Sequence, residues 1–182
     1  MRLARRLVLA WAVLLVVAAP AAAAPFTINV RGNAHGFGRV LAIGDFKPDR
    51  DPTLGAAIDA YGQPSFRRRL APEGCRVGWH ALGVKVLFAN LGGGTACEED
   101  SGRSQTARAF GARWRTARGL RIGQRLAQLR VLYPTATLHG RAWWLVTAVN
   151  RVGDPRRYPV LSATVRERTV RSFSVRIFAA GD

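Results

Sequence analysis

The stretch Gly119-Leu120-Arg121-Ile122-Gly123-Gln124-Arg125-Leu126-Ala127-Gln128-Leu129-Arg130-Val131-Leu132-Tyr133-Pro134, followed closely by Arg141-Ala142-Trp143-Trp144-Leu145-Val146-Thr147-Ala148-Val149, decides how the chain reads. Ile122, Leu126, Leu129 and Tyr133 recur at helical spacing and predict a helix over 119–133. Pro134 ends it, because a proline ring disfavours the α conformation in the residue before it. The apolar run at 141–149 then predicts a strand. A turn at Gly153-Asp154-Pro155 leads to a second strand over 159–165, and a turn near Glu167 leads to a third over 169–178.

Upstream, the same order recurs. Asp51-Pro52-Thr53 is a helix opening: Asp51 accepts hydrogen bonds from free backbone amides, and a first-turn proline gives up no intrahelical bond. Leu54, Ile58 and Tyr61 form one apolar stripe, and Gly62-Gln63-Pro64 stops the helix. A basic loop containing Arg67-Arg68-Arg69 precedes strands at 75–79 and 82–89, joined by a tight hairpin at His80-Ala81. In the second strand Val84, Val86 and Phe88 alternate with Lys85 and Leu87. A further strand is expected near 105–110, with short ones at 26–30 and 40–43 flanking a glycine-rich loop at 31–38. The expected fold is α+β: two helix-plus-antiparallel-sheet units in tandem, residues 24–111 and 112–182, after a cleaved signal peptide at 1–23.

The signal peptide rests on Arg2, Arg5 and Arg6 before a 13-residue apolar run, Leu7 to Ala19, with Ala21-Ala22-Ala23 as the small-residue cleavage site before Ala24. Thirteen apolar residues are too few to span a bilayer, which takes about 20. The expected destination is the cell envelope or the medium. Cys75 and Cys97 are the two cysteines of the chain, and an even pair in an exported domain reads as a disulfide.

The 182 residues carry 28 Lys and Arg against 11 Asp and Glu, a formal charge of +17, with 48% hydrophobic residues. That composition excludes a disordered or collagen-like polymer. The charge is uneven. Residues 24–100 hold nine Lys and Arg against eight Asp and Glu, whereas residues 101–176 hold sixteen Arg against Asp154 and Glu167 alone. Such a field attracts anionic envelope polymers or an acidic protein. The export signal and the lack of a nucleic-acid fold motif argue against nucleic acid.

Catalytic patterns are thin. His35, His80 and His139 make no His-Glu-x-x-His pair, and there is no Gly-x-Ser-x-Gly elbow or phosphate loop. Asp45, Asp49 and Asp51 invite a calcium reading, but Ala56 stands where a calcium loop's closing glutamate belongs, and Asp51 serves better as a helix cap. No metal or other cofactor is expected. The aromatics are more informative. Trp143 and Trp144 must point to opposite faces of a regular strand, and a tryptophan beside Arg141 or Arg115 has the composition of a binding hot spot. The candidate binding residues are Trp114, Arg115, Arg141, Trp143 and Trp144.

The segment Gly119 to Gln124, leading into a leucine-rich helix that ends in Tyr133-Pro134 and then a Trp-bearing antiparallel sheet, resembles the β-lactamase-inhibitory-protein and BamE-like superfamily of small extracytoplasmic bacterial domains. Residues 51–88 look like a diverged copy, and the whole chain also resembles secreted bacterial proteins of uncharacterised role. The resemblance implies tandem α+β units and a protein-binding role, in enzyme inhibition or envelope assembly. The lipid-anchoring cysteine of the envelope-assembly lipoproteins is missing here. The expected function is a non-catalytic binding module that engages an anionic envelope component or acidic protein through the basic C-terminal half. The alternatives are inhibition of a secreted enzyme and, behind it, a hydrolase with an unrecognised site.

Overall fold

The computed structural model describes residues 26–70, 73–90, 95–150 and 156–177; the expected signal peptide and the turn at Gly153-Asp154-Pro155 lie outside them. Among the described residues eleven strands and two helices follow in the order β1 Thr27–Arg31, β2 Arg39–Ile43, α1 Leu54–Tyr61, β3 Phe66–Leu70, β4 Gly74–Trp79, β5 Val84–Ala89, β6 Arg103–Ala109, β7 Arg115–Thr116, α2 Leu126–Leu132, β8 Thr137–His139, β9 Ala142–Asn150, β10 Arg156–Arg166 and β11 Thr169–Arg176.

The expected α+β class is corrected. Of the described residues 51% are strand and 11% helix. Two sheets form, β2-β1-β7 and a continuous antiparallel sheet of eight strands in the order β3-β4-β5-β6-β11-β10-β9-β8. The two halves of the chain therefore do not make two helix-plus-sheet units. They merge where β6 pairs with β11, Ala107 opposite Val175 and Ala109 opposite Phe173. These four side chains are buried, so fusing the two edges removes apolar surface from water as well as satisfying both backbones.

Local chemistry explains where helix was over-read. Gly119 and Gly123 adopt φ of +85° and +95°, a left-handed conformation suited to turns, so α2 starts only at Leu126. In α1 the cap is Thr53, whose hydroxyl accepts from the Ala56 amide. Asp51 acts one step earlier, accepting from both the amide and the hydroxyl of Thr53. Three strands escaped the sequence reading. The Arg67-Arg68-Arg69 run, expected as a loop, is the edge strand β3, and β7 and β8 are short.

One core holds the fold together. Its side chains come from one face of the large sheet, such as Val77, Val86 and Phe173, together with Leu54 and Ile58 of α1, Leu129 of α2 and Ile28 and Ile43 of the small sheet. Both helices lie on this face. Tyr61 of α1 meets the Trp79 ring edge-on at 5.0 Å, and Arg130 of α2 lies 5.4 Å over the Trp143 ring. The Cys75–Cys97 disulfide joins the same face of β4 to the segment after residue 95.

Candidate functional site

The other face of the large sheet stays outside the core, and pairing registers show what it displays. One row crosses the sheet from Thr137 through Trp144, Ser162, Ser174, Arg108, Lys85 and Gly78 to Phe66. Since alternate residues share a face, Arg68, Arg76, Leu87, Thr106 and Thr164 join it. Leu87, Phe66 and Trp144 take no part in the core cluster, whereas Trp143 does.

Four consecutive strands each place one cation on this face: Arg68 on β3, Arg76 on β4, Lys85 on β5 and Arg108 on β6. Arg68 stands directly opposite Arg76, and Lys85 directly opposite Arg108. Like charges so placed repel, and the strands of this sheet contain neither aspartate nor glutamate to relieve them. The Lys85 ammonium lies 5.8 Å from the Phe66 ring centroid and 5.2 Å from that of Phe110. Arg108 donates from Nε and Nη2 to the Ser172 hydroxyl at 3.3 and 3.1 Å. Phe66 is seated by glycine: a Cβ on Gly78 would stand 2.2 Å from its ring.

The acidic run Glu98-Glu99-Asp100 is held away from this face. Arg67 and Arg69 alternate with Arg68 and so point to the covered side, where Arg67 pairs with Glu99 at 3.0 Å and Arg69 donates to Thr95 at 3.2 Å. The Glu99 carbonyl accepts from the Gly55 amide at 2.9 Å, and Cys97 is bonded to Cys75. The disulfide and these contacts thus hold Glu99 on the covered side of the sheet, while Arg68, Arg76, Lys85 and Arg108 stand on the other.

Beyond a lane of hydroxyls, Ser174, Ser162 and Thr164, the face ends in an aromatic pair. The His139 ring stacks on Trp144, centroids 3.6 Å apart and planes 14° apart, while its Nε2 is 2.9 Å from the Thr137 hydroxyl.

The residues singled out from sequence are dispersed. Trp114 is fully buried, its indole N–H donating to the Leu82 carbonyl at 2.7 Å, so it is a core residue. Arg115 is half-buried in β7 and donates to the Thr27 hydroxyl at 3.2 Å. Arg141 is exposed in the turn before β9, and Trp143 faces the core under Arg130. Trp144 alone of the five stands on the open face. Several arginines of the C-terminal half are laid on rings, Arg113 on Phe26 and Arg118 on Tyr133. Three of the four cations in the band, Arg68, Arg76 and Lys85, come from the near-neutral half. Their signal was present in the alternation around Lys85, but Arg68 and Arg76 needed the β3–β4 pairing to acquire a direction.

Burial pushes the Tyr61 hydroxyl well above the usual phenol range and raises that of Tyr133, which keeps both neutral. Among the described residues no group of three His, Cys, Asp or Glu side chains could hold a metal ion, and no helix is long and apolar enough to cross a membrane. No protein-family model, curated protein or solved structure matches the chain.

Proposed function

We propose that this protein is an exported, non-catalytic binding module whose open sheet face engages an anionic macromolecule of the cell envelope or medium. The observation that carries the reading is the band Arg68, Arg76, Lys85 and Arg108 on a sheet whose strands hold no carboxylate. A bound polyanion would relieve the repulsion within both cation pairs and speed encounter by long-range attraction. The Cys75–Cys97 bond and the N-terminal sequence support the exported setting.

Affinity of the disulfide-bonded protein for anionic envelope fractions, measured at low and physiological salt, tests this. Binding is expected to weaken with salt and to fall at least tenfold when all four cations become glutamine. Binding that ignores both salt and the fourfold change would end the proposal.

Inhibition of a secreted enzyme is the second reading, favoured by the rings of Phe66, Phe110 and Trp144 on the same face. It predicts a stoichiometric loss of a target enzyme's activity that Phe110→Ala relieves more than loss of the cations does.

A further inference from the structure

The open face has a layout that narrows the partner. Arg68 and Arg76 stand in one row across the strands with Leu87, Thr106 and Arg176, and two residues along the strands Lys85 and Arg108 begin a parallel row. In the same direction the row continues through the hydroxyls of Ser174 and Ser162 to Trp144 and its His139 partner. Lys85, Arg108, the two serine hydroxyls and the ring platform are thus collinear, and Arg68 and Arg76 flank that line. From Lys85 to Ser162 this row is polar, unlike the apolar middle that a protein interface places under its hot spots.

Resting on the function proposed above, we infer that the occupant is a linear acidic polysaccharide lying across the strands. Carboxylates of the sugars meet Lys85 and Arg108, and Arg68 and Arg76 add positive charge beside them. Ring hydroxyls exchange hydrogen bonds with Ser162, Ser174 and Thr164. The apolar face of one sugar ring covers the Trp144–His139 stack. A linear chain fits because Lys85, Arg108, Ser174, Ser162 and Trp144 form one line, and a sugar polymer fits because it supplies charge, hydroxyls and flat C–H faces along one axis. An acidic peptide would use the cations but leave the hydroxyl lane and the ring pair without matching groups.

The test compares three probes on the purified disulfide-bonded protein: short polygalacturonate chains, poly-glutamate of similar length and charge, and an uncharged glucan. Polygalacturonate is expected to bind more tightly than poly-glutamate, and the glucan weakly or not at all. Trp144→Ala and, separately, His139→Ala, which removes an exposed ring and spares the core, are expected to weaken polygalacturonate about tenfold while leaving poly-glutamate unchanged. The Trp144 indole N–H resonance should shift with polygalacturonate alone, a reading that needs no substitution. Equal binding of both anionic probes, with no effect at Trp144 or His139, overturns the polysaccharide inference and leaves the cationic band in place. No binding of either anionic probe defeats the inference and the function it rests on together.

Discussion

Lys85 and Arg108 face each other directly across β5 and β6, in a sheet whose strands carry no carboxylate. Such a pair costs stability in the free protein, roughly 0.2–1 kcal/mol by the usual range for cross-strand pairs. Lys85→Glu should turn repulsion into attraction and raise stability by about 0.5 kcal/mol in chemical denaturation, while lowering affinity for polyanions. A variant that loses both stability and affinity would mean that the packing of Lys85 between Phe66 and Phe110 outweighs its charge.

Cys75 and Cys97 are 22 residues apart, and their Cα atoms stand 5.1 Å from each other. Replacing both with alanine should lower stability by about 3 kcal/mol, the loop-closure entropy returned to the unfolded chain. Equilibrium unfolding with and without reductant measures it, and the alanine variant should no longer respond to the reductant.

Gly83 closes the β4–β5 turn at φ +63°, and a Cβ there would stand 2.5 Å from the backbone of Gly111. Both obstacles are backbone and cannot swing away. Gly83→Ala should cost about 3 kcal/mol, from the left-handed conformation and the clash together. Gly140→Ala, at φ +58° with nothing within 4 Å, isolates the conformational share and should cost about 1 kcal/mol. Thermal melts of the two variants separate the effects.

The hydroxyl and the amide of Thr53 donate to Asp51 and hold its carboxyl below the ordinary value of 3.8. A carboxylate depressed in the folded state stabilises fully above its unfolded pKa and loses that contribution as pH falls through the folded value. The stability gap between the wild type and Asp51→Ala should therefore be constant near neutrality and narrow below about pH 4. Urea midpoints across that range read it; a gap that widens in acid would contradict the hydrogen-bonded carboxylate as its source.

Most strands were visible in the chain because alternation and turn residues are local signals. Val84, Val86 and Phe88 against Lys85 and Leu87 specify β5 and its two faces without any partner. The helices were harder, since Leu120 and Ile122 keep helical spacing with Leu126 although the glycines beside them turn the backbone. Trp143 and Trp144 point oppositely as their adjacency requires. Regular alternation would however also put Val146 on the face of Trp144. A bulge leaves Leu145 without a partner between Trp144, opposite Ser162, and Val146, opposite Leu161, and so returns Val146 to the core.

By itself the sequence determined the pairing of Cys75 with Cys97, the hairpin turn after Trp79, most of the strands, and the outward side of Lys85, because each depends on residues a few positions apart or on elimination among two cysteines. Tertiary structure alone decided that β6 joins β11, that Arg68 belongs to a strand, and that Arg68, Arg76, Lys85 and Arg108 share one side of the sheet while Glu99 pairs with Arg67 on the other. Those outcomes follow from pairing between segments distant in the chain. An edge strand such as Phe66–Leu70, exposed along most of its length, carries no apolar alternation to announce it until its neighbour is in place.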